Sequence, residues 1–157
     1  VGASFLVSHV GVVVSDLERS TRFYVDGLGF ENLFTYESGS EVAKLADLDP
    51  DVHLTGRFLR KPGIRLELML YRKPRPSPGP RPMDQIGGPT HIALRVEDMD
   101  AAIAAVRAFG GTVNEYGRTK YEIVPGEDIE LVHCLDPDGM KLELVKMGET
   151  IRKQMDG

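Results

Sequence analysis

Cysteine is almost absent from this 157-residue chain, and tryptophan is missing altogether. The single thiol, Cys134, excludes an internal disulfide and any multi-cysteine metal site, and it fits a reducing cytoplasm, the expected location. Long apolar runs are lacking as well. FLVSHVGVVV, residues 5 to 14, is interrupted by Ser8 and His9 and is too short to span a bilayer, so neither a signal peptide nor a transmembrane helix is expected. Positive charge is not in excess: 19 Lys and Arg stand against 24 Asp and Glu, a formal net charge of −5. The basic residues are scattered, which argues against nucleic acid or an anionic membrane as partner and leaves a small molecule.

What is present is a repeated order of elements. Val7 to Val14 is rich in β-branched residues and runs into SDLERSTRFYVDGLGF, where Ser15 or Asp16 can cap a helix and Gly27 and Gly29 can close it. ENLFTYES, HLTGRFL and IRLELMLY then read as three short strands, with His53 in the loop before the second of them. KPRPSPGPRP, residues 73 to 82, holds five prolines and reads as a semi-rigid linker. Beyond it, Thr90 to Val96 is again a strand, EDMDAAIAAVRAFGG a helix, and TVNEYGR, IELVHCL and MKLELVK three strands, the last two joined by DPDG. The expected fold class is therefore α+β, built from two tandem βαβββ modules. The first spans 5–72, a Pro/Gly-rich linker 73–88, the second module 89–147, and a helix-prone tail 148–157.

The repeat aligns chemistry as well as pattern. SHVGVVVSDLERSTRFY matches THIALRVEDMDAAIAAV with His9 on His91, and KPGIRLELM matches PDGMKLELV with Glu67 on Glu143. Strand alternation puts His9 on one face with Gly11 and Val13, and it turns Leu66, Leu68, Leu142 and Leu144 away from the two glutamates. The Leu and Val face is expected against the helices, leaving His and Glu in a concavity. Taken singly, each is an ordinary strand residue, and recurrence at the same place in both modules is what points to function. Two imidazoles and two carboxylates suit one divalent transition metal, Zn, Ni, Co, Fe or Mn, in preference to Ca or Mg. Such an ion, with open positions for two neighbouring substrate oxygens, favours loss of a proton from the adjacent carbon, and a nearby carboxylate can take it.

These stretches resemble the vicinal oxygen chelate superfamily, which contains glyoxalase I, methylmalonyl-CoA epimerase, extradiol dioxygenases and bleomycin-resistance proteins. The resemblance covers roughly residues 5 to 147 and implies a metal-containing cleft with His9, Glu67, His91 and Glu143 as ligands. It also implies a dimer and proton-transfer chemistry: isomerisation, epimerisation or C–S lyase activity, with Glu143 and Glu67 as acid–base groups. Two departures from glyoxalase I argue against glutathione as co-substrate. Val13 stands where an Arg usually follows the first ligand, and Tyr71 where an Asn follows the second. His133 and Arg57, related by the same 76-residue offset (133 − 57 = 76), are further candidates facing the site: His133 as a proton shuttle, and Arg57, Arg65 and Arg95 as binders of an anionic substrate group. The alternative readings are an Fe(II) extradiol-type ring-cleavage dioxygenase, with two His and one Glu on iron, and a bleomycin-resistance-type binding protein.

Overall fold

A computed structural model describes residues 6–40, 43–46, 48–73 and 91–156. The chain falls into two compact units, Val1–Pro78 and Gly79–Gly157. The proline-rich segment expected as a linker lies, from residue 74 onward, outside the described residues.

In the first unit, β1 (Val10–Val13) leads into α1 (Leu17–Arg22), followed by β2 (Glu31–Ser38), α2 (Ala43–Ala46), β3 (His53–Lys61) and β4 (Ile64–Lys73). Asp16 starts α1 by accepting a hydrogen bond from the Arg19 N–H at 2.9 Å, a cap worth about 1 kcal/mol. The helix then widens into a π-turn at Phe23–Gly27, which brings the consecutive Phe23 and Tyr24 rings inside together, edge to face at 5.2 Å. The strands form one sheet in the order β1-β4-β3-β2, with β1 parallel to β4 and the other pairs antiparallel. Pro62 and Gly63 make the two-residue turn from β3 to β4, Gly63 taking a φ of 84° that a Cβ would oppose. His53 is not a loop residue: it opens β3 opposite Lys73, because pairing with the long β4 extends the strand past the apolar run.

The second unit comprises β5 (Ile92–Arg95), α3 (Met99–Ala108), β6 (Thr112–Val113), β7 (Thr119–Val124), β8 (Glu127–Leu135), β9 (Lys141–Met147) and α4 (Glu149–Asp156). The sheet order is β5-β9-β8-β6, β7 also pairing with β8, and β5 runs parallel to β9. TVNEYGR is therefore not one strand. Only Thr112–Val113 pairs; Glu115–Gly117 forms a single 3-10 turn, and the chain rejoins the sheet as β7. The β8–β9 connection is the five-residue turn Asp136–Met140, in which the Asp136 carboxylate accepts from the N–H groups of Asp138 and Met140 and Gly139 has a φ of 88°.

Each sheet buries one face. Val12, Val14, Leu59, Leu66 and Leu68 are inside the first unit, and Met99, Ile103 and Val106 of α3 are buried with Val132, Cys134, Leu142 and Leu144 in the second. Each such aliphatic side chain contributes about 1.5–3 kcal/mol on burial, so neither sheet can be flipped without a large loss. Burial also pushes the Cys134 thiol up to about 11, with the Asp136 charge adding to the effect, so the cysteine is a neutral core side chain.

One carboxylate caps the tail helix. Glu127 accepts hydrogen bonds from the N–H groups of Thr150, at 2.9 Å, and Ile151, at 3.3 Å, at the start of α4. The contact with Thr150 holds Glu127 below the usual glutamate range, with the Ile151 N–H adding to it. A carboxylate lowered on folding stabilises above its unfolded pKa, and that contribution is lost as pH falls through the folded value. The amide protection factors of α4, corrected for the intrinsic pH dependence of exchange, are thus expected to fall selectively below about pH 4.3, the ordinary glutamate value. In Glu127→Gln that acid-dependent step in the protection factors should be absent.

Candidate functional site

Register decides which residues share the open faces. In the first sheet Glu67 pairs with Gly11 on β1 and Phe58 on β3, so His9, Gly11, Phe58 and Glu67 stand on one side. His9 Nε2 lies 3.0 Å from Glu67 Oε2, and Ser8 Oγ lies 2.9 Å from the other ring nitrogen, Nδ1. The Tyr36 hydroxyl donates to the second carboxylate oxygen, Glu67 Oε1. Burial, reinforced by that hydrogen bond and by the glutamate's charge, pushes the Tyr36 phenol well above its ordinary value, so it remains the donor. Tyr36 reaches Glu67 across β3 because its neighbour there is Gly56: a Cβ at Gly56 would overlap the Tyr36 ring at Cε1, Cζ and Oη. Phe58 completes the setting, edge-on to His9 at 5.1 Å and stacked on Phe34 at 4.9 Å.

In the second sheet Glu143 pairs with Ala93 on β5 and His133 on β8. Its two oxygens point at two imidazoles: Oε1 lies 3.7 Å from His91 Nε2, and Oε2 lies 3.3 Å from His133 Nε2. The two rings are 5.4 Å apart. Donor atoms from His91, His133 and Glu143 all fall within 4.8 Å of one another, the one such group of three among the described residues.

The donor set fits a divalent transition ion. Two ligands about 2.1 Å from one ion are about 3.0–3.4 Å apart between right-angled and tetrahedral placement. The His9–Glu67 and His133–Glu143 spacings match that range, and His91–Glu143 is slightly wider.

The arginines divide. Arg57 is not the counterpart of His133 and does not share the face of Glu67. It pairs with Leu68, on the helix side, and donates to Thr21, Glu18 and Thr35. The reason is turn length: Glu67 meets Phe58 nine residues back (67 − 58 = 9), whereas Glu143 meets His133 ten back (143 − 133 = 10), so the constant offset fails on the third strand. Arg65 is on the Glu67 face and donates to the Ser8 carbonyl at 3.1 Å, next to His9. Arg95 is exposed on the β5 strand two residues beyond Ala93, hence on the Glu143 face. Sequence reasoning missed Tyr36 and Phe58. The glycine at position 56, inside an otherwise apolar strand, was the available sign of a close approach.

A family model matches residues 6–144. The chain belongs to the Glyoxalase/Bleomycin resistance protein/Dioxygenase superfamily. Within this superfamily it is 30% identical to a lactoylglutathione lyase of Haemophilus influenzae over 149 residues, 92% of this chain and 94% of that one. It is 28% identical to a 2-epi-5-epi-valiolone epimerase of an Actinomyces species, covering 90% of this chain and 79% of the other. A glyoxalase family protein of Bacillus cereus shares the fold with a TM-score of 0.79 at 16% identity, over 94% of this chain and 97% of that one. The two-sheet α+β architecture is thus that of the superfamily. Among the described residues, no helix is long and apolar enough to cross a membrane.

Proposed function

We propose that this chain is a divalent-metal-dependent enzyme that moves a proton on a small substrate with two neighbouring oxygens, in an isomerisation, epimerisation or C–S lyase reaction. The observation that supports it most is the recurrence of a His–Glu pair on the same face of each sheet, 3.0 Å apart in the first and 3.7 Å in the second. His9, Glu67, His91 and Glu143 are the proposed ligands. When bound, the ion supplies Lewis acidity toward the substrate oxygens and so acidifies the adjacent C–H. The protein's part is to present carboxylates that accept and return that proton. Glu67 is the better fixed of the two, Tyr36 holding one oxygen and leaving Oε2 turned toward His9.

Arg65 and Arg95 are proposed to face an anionic part of the substrate, and the exposed Phe34, stacked on Phe58, an apolar part. Val13 and Tyr71 stand on the Glu67 face where glyoxalase I carries the Arg and Asn it uses for glutathione, so glutathione dependence is not part of this proposal. The enzyme is proposed to act in the cytoplasm as a homodimer. A second reading, an Fe(II) ring-cleavage dioxygenase, draws on the two-His, one-carboxylate group in the second unit, a donor type of non-haem iron oxygenases.

Protein purified without chelator is expected to contain a divalent transition metal. A screen over 2-oxo-aldehyde thiol adducts and acyl-CoA thioesters should find a substrate whose α-hydrogen exchanges with deuterated solvent, with catechols screened beside them for the second reading. Oxygen consumption on a catechol with iron but not zinc would establish the second reading instead, and metal-free protein with bound drug-like ligand would make it a binding protein.

A further inference from the structure

One row of the first sheet carries unbalanced positive charge. Arg60 on β3 stands directly opposite Arg65 on β4, in the row that ends beside His9, and like charges so placed destabilise a sheet. Only one of the two is neutralised. Glu31, opposite Arg60 on β2, accepts from its Nε at 3.1 Å and its Nη2 at 2.6 Å, both through the single oxygen Oε2. Arg65 donates to the Ser8 carbonyl and, among the described residues, has no carboxylate partner. Both arginines are exposed, and the buried Leu59 and Leu66 beside them keep them on the open face with Glu67. A cavity of about 630 Å³ lies at this end of the sheet, bounded by Arg60, Lys61, Arg65, Glu31 and the Pro62–Gly63 turn. Three cations and one carboxylate give its lining a net charge of +2 (3 − 1 = 2).

From this geometry we propose, building on the metal-enzyme reading above, that Arg60 and Arg65 bind a phosphate monoester group of the substrate. The charge decides between oxyanions. A dianionic phosphate balances the lining, whereas a carboxylate leaves one cation in excess, and guanidinium forks bind phosphate oxygens in pairs. The cavity is of small-molecule size, within the usual range of about 300–1,000 Å³. Arg65 lies two residues before Glu67 on the same strand and face, a separation of about 7 Å. The phosphate is therefore carried a few bonds away from the carbon that loses its proton, and it positions the substrate without occupying the carboxylate. The substrate class is a short phosphorylated compound with neighbouring oxygens. The second unit does not repeat the pair: Lys141, two residues before Glu143, stands opposite Leu135.

The test is titration of the full chain with methyl phosphate, with and without EDTA, followed by NMR at the arginine Nε–H groups. Saturable shifts at Arg60 and Arg65, unchanged by EDTA, are expected, with acetate binding at least about tenfold more weakly than methyl phosphate. Arg60→Gln and Arg65→Gln should each weaken methyl phosphate binding by at least about tenfold, the loss of one charge-assisted hydrogen bond. Lys73→Gln, which removes the same charge at the far end of β4, should bind as the parent does. Because it relieves the contact between like charges, Arg65→Gln should also unfold no earlier than the parent, which thermal melting checks. Absence of shifts in the parent, parent-like binding by both arginine variants, or an equal loss in Lys73→Gln overturns the proposal. Equal binding of acetate overturns the choice of phosphate. Binding is read here without metal or turnover, so its failure leaves the metal-enzyme reading standing, whereas failure of that reading shows as missing metal and missing α-hydrogen exchange with phosphate binding still measurable.

Discussion

Glu67→Gln is expected to lower turnover by about 10²–10⁴-fold, the range a positioned general base contributes, while the purified protein still contains metal. The glutamine keeps the length of the side chain, and its amide oxygen can accept the Tyr36 hydroxyl as Glu67 Oε1 does. What it loses is the basic lone pair at Oε2, the oxygen turned toward His9. Solvent-deuterium exchange at the substrate α-carbon measured against metal content separates the two effects. Loss of both together would mean that Glu67 is needed to retain the ion, and full activity would exclude it as the proton carrier. Glu143→Gln should instead lose metal along with activity, because it removes the carboxylate that both His91 and His133 approach.

Gly56→Ala is expected to reproduce Tyr36→Phe without touching a polar atom. The new methyl occupies the volume of the Tyr36 ring edge, and the side chain must swing off Glu67, since the backbone of a paired central strand has less freedom than a phenol. A hydrogen bond to a charged group is worth about 1.5–3 kcal/mol, so each substitution should reduce turnover by about 10–100-fold. Because both remove the same contact, the double variant should be little worse than either alone, a coupling a double-mutant cycle measures directly. Additive losses would show that Gly56 acts on something other than Tyr36. Loss of folding in Gly56→Ala but not in Gly56→Ala/Tyr36→Ala would place the cost in the steric overlap itself.

Period-two patterning made much of this readable in advance. Leu66 and Leu68 flank Glu67, Leu142 and Leu144 flank Glu143, and only one assignment of faces buries the leucines. That is why both glutamates and their first-strand histidines could be placed on open faces without coordinates. Tyr36 resisted the same logic. Counted strictly from Glu31, position 36 falls on the opposite face, but the register of β2 shifts between Asn32 and Phe34 and resets the alternation, so Phe34 and Tyr36 join Phe58 and Glu67. Arg57 was misplaced by a different local event, one residue more between Glu143 and its partner than between Glu67 and its own. TVNEYGR failed as a strand because Asn114 to Gly117 coils into a turn before the chain can pair again.

The turn Asp136–Met140 therefore reaches further than its five residues suggest. Point substitutions in a duplicated chain alter one letter at a time, but an insertion or deletion in a hairpin re-pairs every residue behind it with a new neighbour. Here a change of one residue in spacing is enough for a carboxylate to meet an imidazole in one copy and a phenyl ring in the other. A shift of that spacing would also have to exchange the buried and open residues of one strand, so the length of the turn and the apolar pattern of β8 are fixed by each other.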